Sequence, residues 1–493
     1  MRFLIDTNVL IPLEPVSPAG VEEGTGPAAT FIRLSQELGH AVYIHPAGLA
    51  ELAGDKDALR RSVRQTLAQK YVQLPDPPGM TAALASVLGD EGTNAHDRID
   101  NLIIAAAYGN AVDHLVTEDA GIHRKARRVG IDERVLRVAE AVGMLQRLFQ
   151  EPLPPPPSVR RRKAHALDPK DAIFTSLRAD YGGDAFDLWL SRCQREHRDA
   201  FVVEGPTGEC AALAILKRET QGGDSALRGD VLKISTLKVA EEYNGNKYGE
   251  LLLKAIFEEA RSLGVGGLYV TVFEKHQLLI TLLEDFGFEA AGARTALGEL
   301  LLQKSLRPTQ ADGLLNDLEY HVKYGPPLHR VREGRAFLVP IKPIYHRMLF
   351  PDAERALQLS LAPGPYGNAL KKAYLCHAAT RQLQPGDTLL FYRSGDAKSV
   401  TAVGVLEDAL VSADPIEVAR FVGKRTVYDF EQIEGMSQRR EILALLFRQA
   451  TLLDDPIDLA ELQIEGKVRQ WPQTVSAFPR EGTEWLRGRL GLP

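Results

Sequence analysis

The chain opens with two apolar runs, Phe3-Leu4-Ile5 and Val9-Leu10-Ile11, separated by Asp6-Thr7-Asn8. Short β-prone runs bounded by polar residues predict buried strands. The same signature recurs at Val42-Tyr43-Ile44 and at Leu115-Val116-Thr117, which runs on into Glu118-Asp119. Between these strands the period changes. Phe31, Ile32, Leu34 and Leu38 fall at helical spacing, with Gly39 as a stop. A second helix is predicted from Asn94 to Ala107, and its first turns hold Asp97 and Asp100, three apart on one face. Strand and helix alternate through residues 1–148, which predicts a parallel α/β domain.

The pattern then changes. Pro152, Pro154, Pro155, Pro156 and Pro157 predict a stiff extended spacer, and Arg160-Arg161-Arg162-Lys163 gives it a basic end, so 149–163 reads as a linker. That basic run suits phosphate binding or a solvated charge cluster equally. Across 164–306 the runs Ala200–Val203, Ala211–Lys217, Val231–Val239 and Leu268–Phe273 predict strands, with a turn at Gly205–Gly208. A helix from about Tyr248 to Arg261 and another from His276 to Asp285 complete a mixed α/β domain. After a Gly- and Pro-broken connector, 307–335, the region 336–493 is strand-rich. Ala336–Ile341, Thr388–Arg393 and Val400–Leu406 predict a small β-barrel. The expected architecture is a three-domain α/β protein.

Composition excludes some classes. The 493 residues carry a formal net charge of −6, so whole-molecule electrostatics do not announce a nucleic-acid binder. Cys193, Cys210 and Cys376 are scattered and odd in number, which argues against a zinc site or a disulfide framework and for a cytoplasmic location. No apolar run reaches the roughly 18 residues of a membrane span.

Asp6 ends an apolar strand, and an ionised carboxylate there is costly without a partner or metal. Glu51, Asp100 and Asp119 recur in similar settings, and Asp6 and Asp119 both sit at strand ends, where parallel α/β sheets place their sites. Singly, such acids are turn formers or helix-dipole partners. Converging, they would need Mg2+ or Mn2+, and two such ions can activate water against a phosphodiester. Residues 1–148 resemble the PIN-domain ribonucleases, toxin types included. Asp6-Thr7-Asn8, Glu51 in Leu49-Ala50-Glu51-Leu52, Asp100 in Asp100-Asn101-Leu102, and Asp119 carry that resemblance. It implies these four acids as catalytic and metal-binding residues, cellular RNA (tRNA among the candidates) as substrate, and a metal-dependent endoribonuclease activity. An antitoxin or regulatory partner and a homodimer stay open, and no membrane partner is expected.

Glu242-Tyr243-Asn244-Gly245-Asn246-Lys247-Tyr248-Gly249 is a glycine-containing turn between a strand and a helix, and backbone amides there suit a pyrophosphate. With Leu282-Leu283-Glu284-Asp285-Phe286-Gly287-Phe288 it resembles the GNAT acyltransferases. The resemblance implies acetyl-CoA binding at Val239, Asn244, Gly245, Asn246, Lys247, Tyr248 and Gly249. Asn244, Lys247 and Leu283 depart from the family pattern, the last where many members carry a tyrosine acid. Tyr243, Tyr248 and Tyr269 are alternative proton donors. Ile341-Lys342-Pro343-Ile344-Tyr345 and the Pro385-Gly386-Asp387 strand resemble ASCH and PUA-like barrels. That implies RNA reading, with Lys342, Tyr345, His346 and Arg347 as the contacts and Tyr392 as a further stacking ring. The leading expectation is an endoribonuclease; the competing one is an N-acetyltransferase of RNA or protein whose first domain only binds RNA.

Overall fold

The computed structural model describes residues 1–13, 25–53, 61, 70–89, 95–149, 159–205, 207–309, 313–354 and 369–492. The prolines Pro152 and Pro154 to Pro157, and the side chain of Glu51, lie outside the described residues. The chain divides into two compact units. One is Met1–Pro152 with Ser412–Lys424 and Tyr428–Glu441; the other is Leu153–Val411 with Arg425–Val427 and Ile442–Pro493.

In the first unit β1 (Arg2–Ile5), β2 (Ala41–Ile44), β3 (Val72–Gln73), β4 (His114–Val116) and β5 (Val135–Leu136) form one sheet in the order β3-β2-β1-β4-β5. Every pairing is parallel. Phe3, Leu4 and Ile5 are all buried, as a strand covered on both faces requires. The helices are α1 (Thr7–Leu13), α2 (Thr25–Glu37), α3 (Pro46–Ala53), α4 (Ala82–Leu88), α5 (Ala95–Tyr108), α6 (Ala120–Arg128) and α7 (Val138–Phe149). The order reverses between β1 and β4, so their carboxyl ends flank the crevice where α/β sheets place sites.

Two more helices complete this unit, Pro415–Val422 and Phe430–Ser437. Asp414 caps the first by accepting from the Ile416 amide, and Val418, Ala419 and Val422 are buried. Arg420 reaches Asp113 at 3.6 Å. The expectation that 336–493 folds as one continuous domain is therefore corrected. An amphipathic helix shows in sequence that it has a buried face, but not which neighbour covers it.

The second unit holds two sheets. The seven-stranded one runs β11-β12-β10-β9-β8-β7-β6, from β6 (Arg160–Lys163), β7 (Asp199–Glu204), β8 (Cys210–Glu219), β9 (Val231–Val239), β10 (Gly267–Val272), β11 (Glu289–Arg294) and β12 (Leu300–Ser305). Only β9 and β10 pair in parallel. Its helices are α8 (Thr175–Tyr181), α9 (Gly183–Arg195), α10 (Tyr248–Leu263) and α11 (Gln277–Asp285). The basic run is not linker: it is β6, an edge strand whose charges are matched by acids. Arg161 pairs with Asp199 and Glu259, Arg160 and Arg162 with Glu204, and Lys163 with Asp199. Charge on an edge strand discourages further strand pairing.

The connector is also built in. Helix α12 (Asp317–Tyr324) starts with a capping box between Asn316 and Glu319. The buried Lys304 ammonium on β12 donates to the Val322 and Lys323 carbonyls, each at 2.8 Å. Gly287, with φ +77°, lets the Val322 carbonyl approach to where a side chain's Cβ would stand 2.0 Å away. The second sheet runs β14-β17-β16-β15-β13-β18, from β13 (Ala336–Ile341), β14 (Lys371–Cys376), β15 (Thr388–Arg393), β16 (Ser399–Ser412), β17 (Ile442–Asp458) and β18 (Ser476–Ala477). It has edges at β14 and β18 among the described residues, rather than the closed ring expected of a barrel. The helix α13 (Pro343–Leu349) follows β13, with Pro343 in its first turn.

Candidate functional site

The site in the second unit starts where β9 and β10 stop pairing. Their ladder runs from Val231 opposite Gly267 to Ile234 opposite Val270. Strand β9 continues to Val239 and β10 to Val272. On the other side of β9 the register to β8 slips between Ile234 and Thr236, so Ser235 is an extra, bulged residue. The two parallel strands thus share no ladder bonds over the last stretch of β9, which is roughly 16 Å long at about 3.3 Å per residue.

The chain leaves Val239 and enters a tight turn. Glu241–Tyr243 is a 3-10 turn, Gly245 has φ +85°, and Lys247 is left-handed at φ 62°, ψ 22°. The Asn244 and Asn246 amides bond within the turn, to Glu241 and Tyr243 carbonyls at 3.1 and 3.3 Å. Helix α10 then begins with no side-chain cap. The Leu251 amide is the first with an intrahelical acceptor, the Lys247 carbonyl at 3.0 Å. A helix start leaves its first amides open, and the dipole favours an anion there. Those amides belong to Tyr248, Gly249 and Glu250. A Cβ on Gly249 would lie 2.7 Å from Leu282 of α11, so glycine lets the two helices close together.

Charge at this helix start is arranged inward. Glu250 is buried and pairs with Lys247 at 3.1 Å. It also accepts from the Leu370 and Lys371 amides at 2.8 and 3.3 Å. Burial pushes its carboxyl up, but Lys247 and Arg425 outweigh this and hold it below the usual range. Lys371 reaches Asp285 and Glu407, each at 3.3 Å, and Arg448 donates to the Asp285 carbonyl at 2.6 Å. The six-stranded sheet is therefore pinned to the first turn of α10 and the last turn of α11.

The proton-donor candidates differ. Leu283 is fully buried core, which explains why no acid stands there. Tyr269 is buried and spent on Glu219, and burial with that carboxylate raises its hydroxyl. Tyr243 bonds to Glu209 and stacks on Tyr248 at 5.7 Å, beside the helix start. Burial, then Glu209, raise Tyr248.

In the first unit Asp6 and Asp119 do meet at the crevice. Asp6, 6% exposed, accepts from the Thr7 amide at 2.7 Å and the Thr117 hydroxyl at 2.8 Å. The Asp119 amide bonds that same hydroxyl at 3.0 Å, and its carboxylate caps α6 by accepting from Ile122 at 2.9 Å. Asp100 is held by Lys125 at 3.0 Å, which also takes Asp97 at 2.9 Å. Burial first, then Asp119 and Asp97, raise Asp100 despite Lys125. Among the described residues no group of three or more His, Cys, Asp or Glu side chains could hold a metal ion. Glu51, the fourth acid of the expected metal centre, lies outside the described residues, and of the other three Asp100 has Lys125 as its cation. Glu118, the extra acid, pairs with Arg137 at 3.0 Å.

The RNA-contact candidates scatter. Lys342 and Arg347 are exposed and Tyr345 is half-buried. His346 is enclosed, bonds the Thr401 hydroxyl at 2.6 Å, and is lowered by burial to about 3. It is a neutral core residue, not a cationic contact. Tyr392 is likewise core, so it has no face for a base.

Comparison with known proteins bears on the second unit. Residues 168–288 match the Acetyltransferase (GNAT) family model, so the chain contains a GNAT acetyltransferase domain. A GNAT acetyltransferase from Elizabethkingia anophelis, solved with acetyl-CoA bound, is 16% identical over 30% of this chain and 98% of its own, with a TM-score of 0.23. An ASCH protein from Zymomonas mobilis is 16% identical over 31% of this chain and 95% of its own, also at 0.23. No curated protein matches the chain. No described helix is long and apolar enough to cross a membrane.

Proposed function

We propose that the chain is an N-acetyltransferase that takes acetyl-CoA at the start of α10. The observation that carries this is a matched pair of features in the segment with the family match. Open amides at Tyr248 and Gly249 suit a pyrophosphate, and the unpaired edge of β9 from Ser235 to Val239 suits an extended arm. Bound there, acetyl-CoA would supply a thioester whose acetyl group passes to an amine nitrogen, the sulfur leaving as the thiol. Asn244, Gly245, Asn246 and Lys247 shape the turn, and Val239 ends the slot. Tyr243 and Tyr269 are each bonded to a carboxylate, Glu209 and Glu219, and Tyr243 and Tyr248 lie at the pyrophosphate end of the slot, so no one of the three tyrosines is assigned as the proton donor. The test is transfer of labelled acetyl from acetyl-CoA to RNA, protein or small amines by the full chain. No transfer to any of the three, together with no acetyl-CoA binding, rejects the reading.

The first unit serves this enzyme as an RNA-binding module rather than a metal-dependent nuclease. The support is Lys125, which pairs with Asp97 and Asp100 and so neutralises one of the four acids expected to bind metal. Exposed Lys342 and Arg347, with Tyr345 beside them, are proposed as a second RNA contact. Incubating labelled small RNA with manganese or chelator decides between the modes: chelator-sensitive cleavage restores the nuclease reading.

A further inference from the structure

At the third position of an α-helix a Glu or Gln side chain can fold back and accept from the amide that opens the helix. Three helices of this chain do so. Glu319 accepts from the Asn316 amide at 2.9 Å, Glu140 from the Arg137 amide at 3.1 Å, and Gln432 from the Asp429 amide at 3.2 Å. Glu250 holds the same third position in α10, yet that helix start has no side-chain cap. The Glu250 carboxylate goes the other way. It is buried against the start of β14 and accepts from the Leu370 and Lys371 amides.

Those two amides are fixed by the sheet they lead into. Lys371 stands opposite Arg448 at one end of the β14–β17 ladder, and the Leu370 carbonyl accepts from the Gln449 amide at 2.7 Å. The Leu370 side chain is buried in the same apolar cluster as Leu251, Leu252 and Phe286. The six-stranded sheet therefore grips α10 twice, through a side chain in its core and through the Glu250 carboxylate.

The direction of that carboxylate matters to an anion. Folded back, as Glu319 is, it would bring negative charge onto the amides that open α10. A pyrophosphate needs the same helix start, and like charges there oppose each other. Held on β14, with Lys247 answering its charge at 3.1 Å, it leaves the helix start open.

We propose that Glu250 is a positioning residue for acetyl-CoA, and that the Leu370–Lys371 segment of the six-stranded sheet keeps the pyrophosphate site open by holding it. Acetyl-CoA binding then depends on that sheet being seated against α10. Unseating β14 would free Glu250 to cap its own helix and shut the pyrophosphate out. The inference rests on the acetyl-CoA reading and names what controls that site.

The experiment measures acetyl-CoA binding by calorimetry on the full chain and two variants. Glu250→Gln keeps an acceptor oxygen for the β14 amides and removes the charge. Its affinity should stay within about threefold of wild type or tighten. Glu250→Asp keeps the charge but falls about 1.5 Å short of those amides, and should bind at least about tenfold more weakly. Hydrogen exchange at the Leu370 and Lys371 amides should quicken in Glu250→Asp and not in Glu250→Gln. A role confined to the ion pair with Lys247 gives the reverse order, because Gln loses that pair and Asp can keep it. The inference is overturned by wild-type affinity in Glu250→Asp, by unchanged exchange in that variant, or by a tenfold loss in Glu250→Gln. If Glu250→Asp does not fold, Glu250→Gln decides alone. A wild-type chain that does not bind acetyl-CoA overturns the acetyl-CoA reading itself, and this inference with it.

Discussion

The start of α10 and the recess at Asp6 sit in the same kind of place, beyond the carboxyl ends of parallel strands. The Asp6 recess is richer in chemistry-bearing residues, yet its groups are already answered. Asp6 is held by Thr7 and Thr117, Asp119 by the Ile122 amide, and Asp100 by Lys125. The α10 start offers only a turn and a few backbone amides, and no side chain caps them. What separates a site from a collection of polar residues is which groups still lack a partner. A list of acids cannot show that, because the partner of each is set by the fold.

The largest expected effect is at Glu250, which fastens the α10 start to the six-stranded sheet. Glu250→Ala leaves Lys247 and two buried amides without their acceptor, and breaking such a pair costs about 3–5 kcal/mol. Urea unfolding of the full chain should show it, and a loss below about 1 kcal/mol would mean that the helix start is not anchored this way. The pH dependence has a definite sign. The folded carboxyl lies below its unfolded value of about 4.3, so its contribution is complete above that pH. It is lost as pH falls through the lower folded value, and Glu250→Gln should flatten that acid limb.

A second acid effect begins earlier. His321, His329 and His346 in the second unit are lowered by burial to about 3, 4 and 3. Each is neutral when folded and protonates near pH 6.5 when unfolded. Stability is therefore full above about 6.5 and falls below it, by up to about 1.4 kcal/mol per pH unit for each histidine. A melting temperature that stays level between pH 7 and 5 would contradict this enclosure.

At the other pole, Thr117→Val removes the hydroxyl that holds Asp6 and meets the Asp119 amide. An unsatisfied buried acceptor costs about 1–3 kcal/mol, so the first unit should melt lower. If the recess is closed to metals, millimolar manganese will not raise that melting point. Each kcal/mol of metal stabilisation would show as roughly 2–4 °C, and a rise of that size means the acids are not spent on Lys125.

Much of the fold was legible. Strands β1, β2, β4, β9, β10, β13 and β15 follow from short apolar runs, because a strand buried between helices or sheets needs nothing else. The turn before α10 was legible too, since Gly245 takes a positive φ and Gly249 leaves room for the Leu282 side chain. Three things were not. The Arg160–Lys163 run reads as linker because its acids, Asp199, Glu204 and Glu259, lie far along the chain. The helices Pro415–Val422 and Phe430–Ser437 look like part of the last domain because amphipathicity does not name a partner. Glu299 carried no signal at all. Only the structure shows its carboxylate enclosed with the Tyr181 and Thr295 hydroxyls.

The most direct test of the account is acetyl-CoA binding measured by calorimetry on the wild-type chain and on Gly249→Val. The added side chain would displace the end of Leu282 and crowd the amides at the α10 start, a misfit of about 1–3 kcal/mol, while the acids of the first unit stay untouched. The account predicts one bound acetyl-CoA per wild-type chain and an affinity at least about tenfold weaker in the variant. Equal affinity in both proteins, or no binding by either, would contradict it.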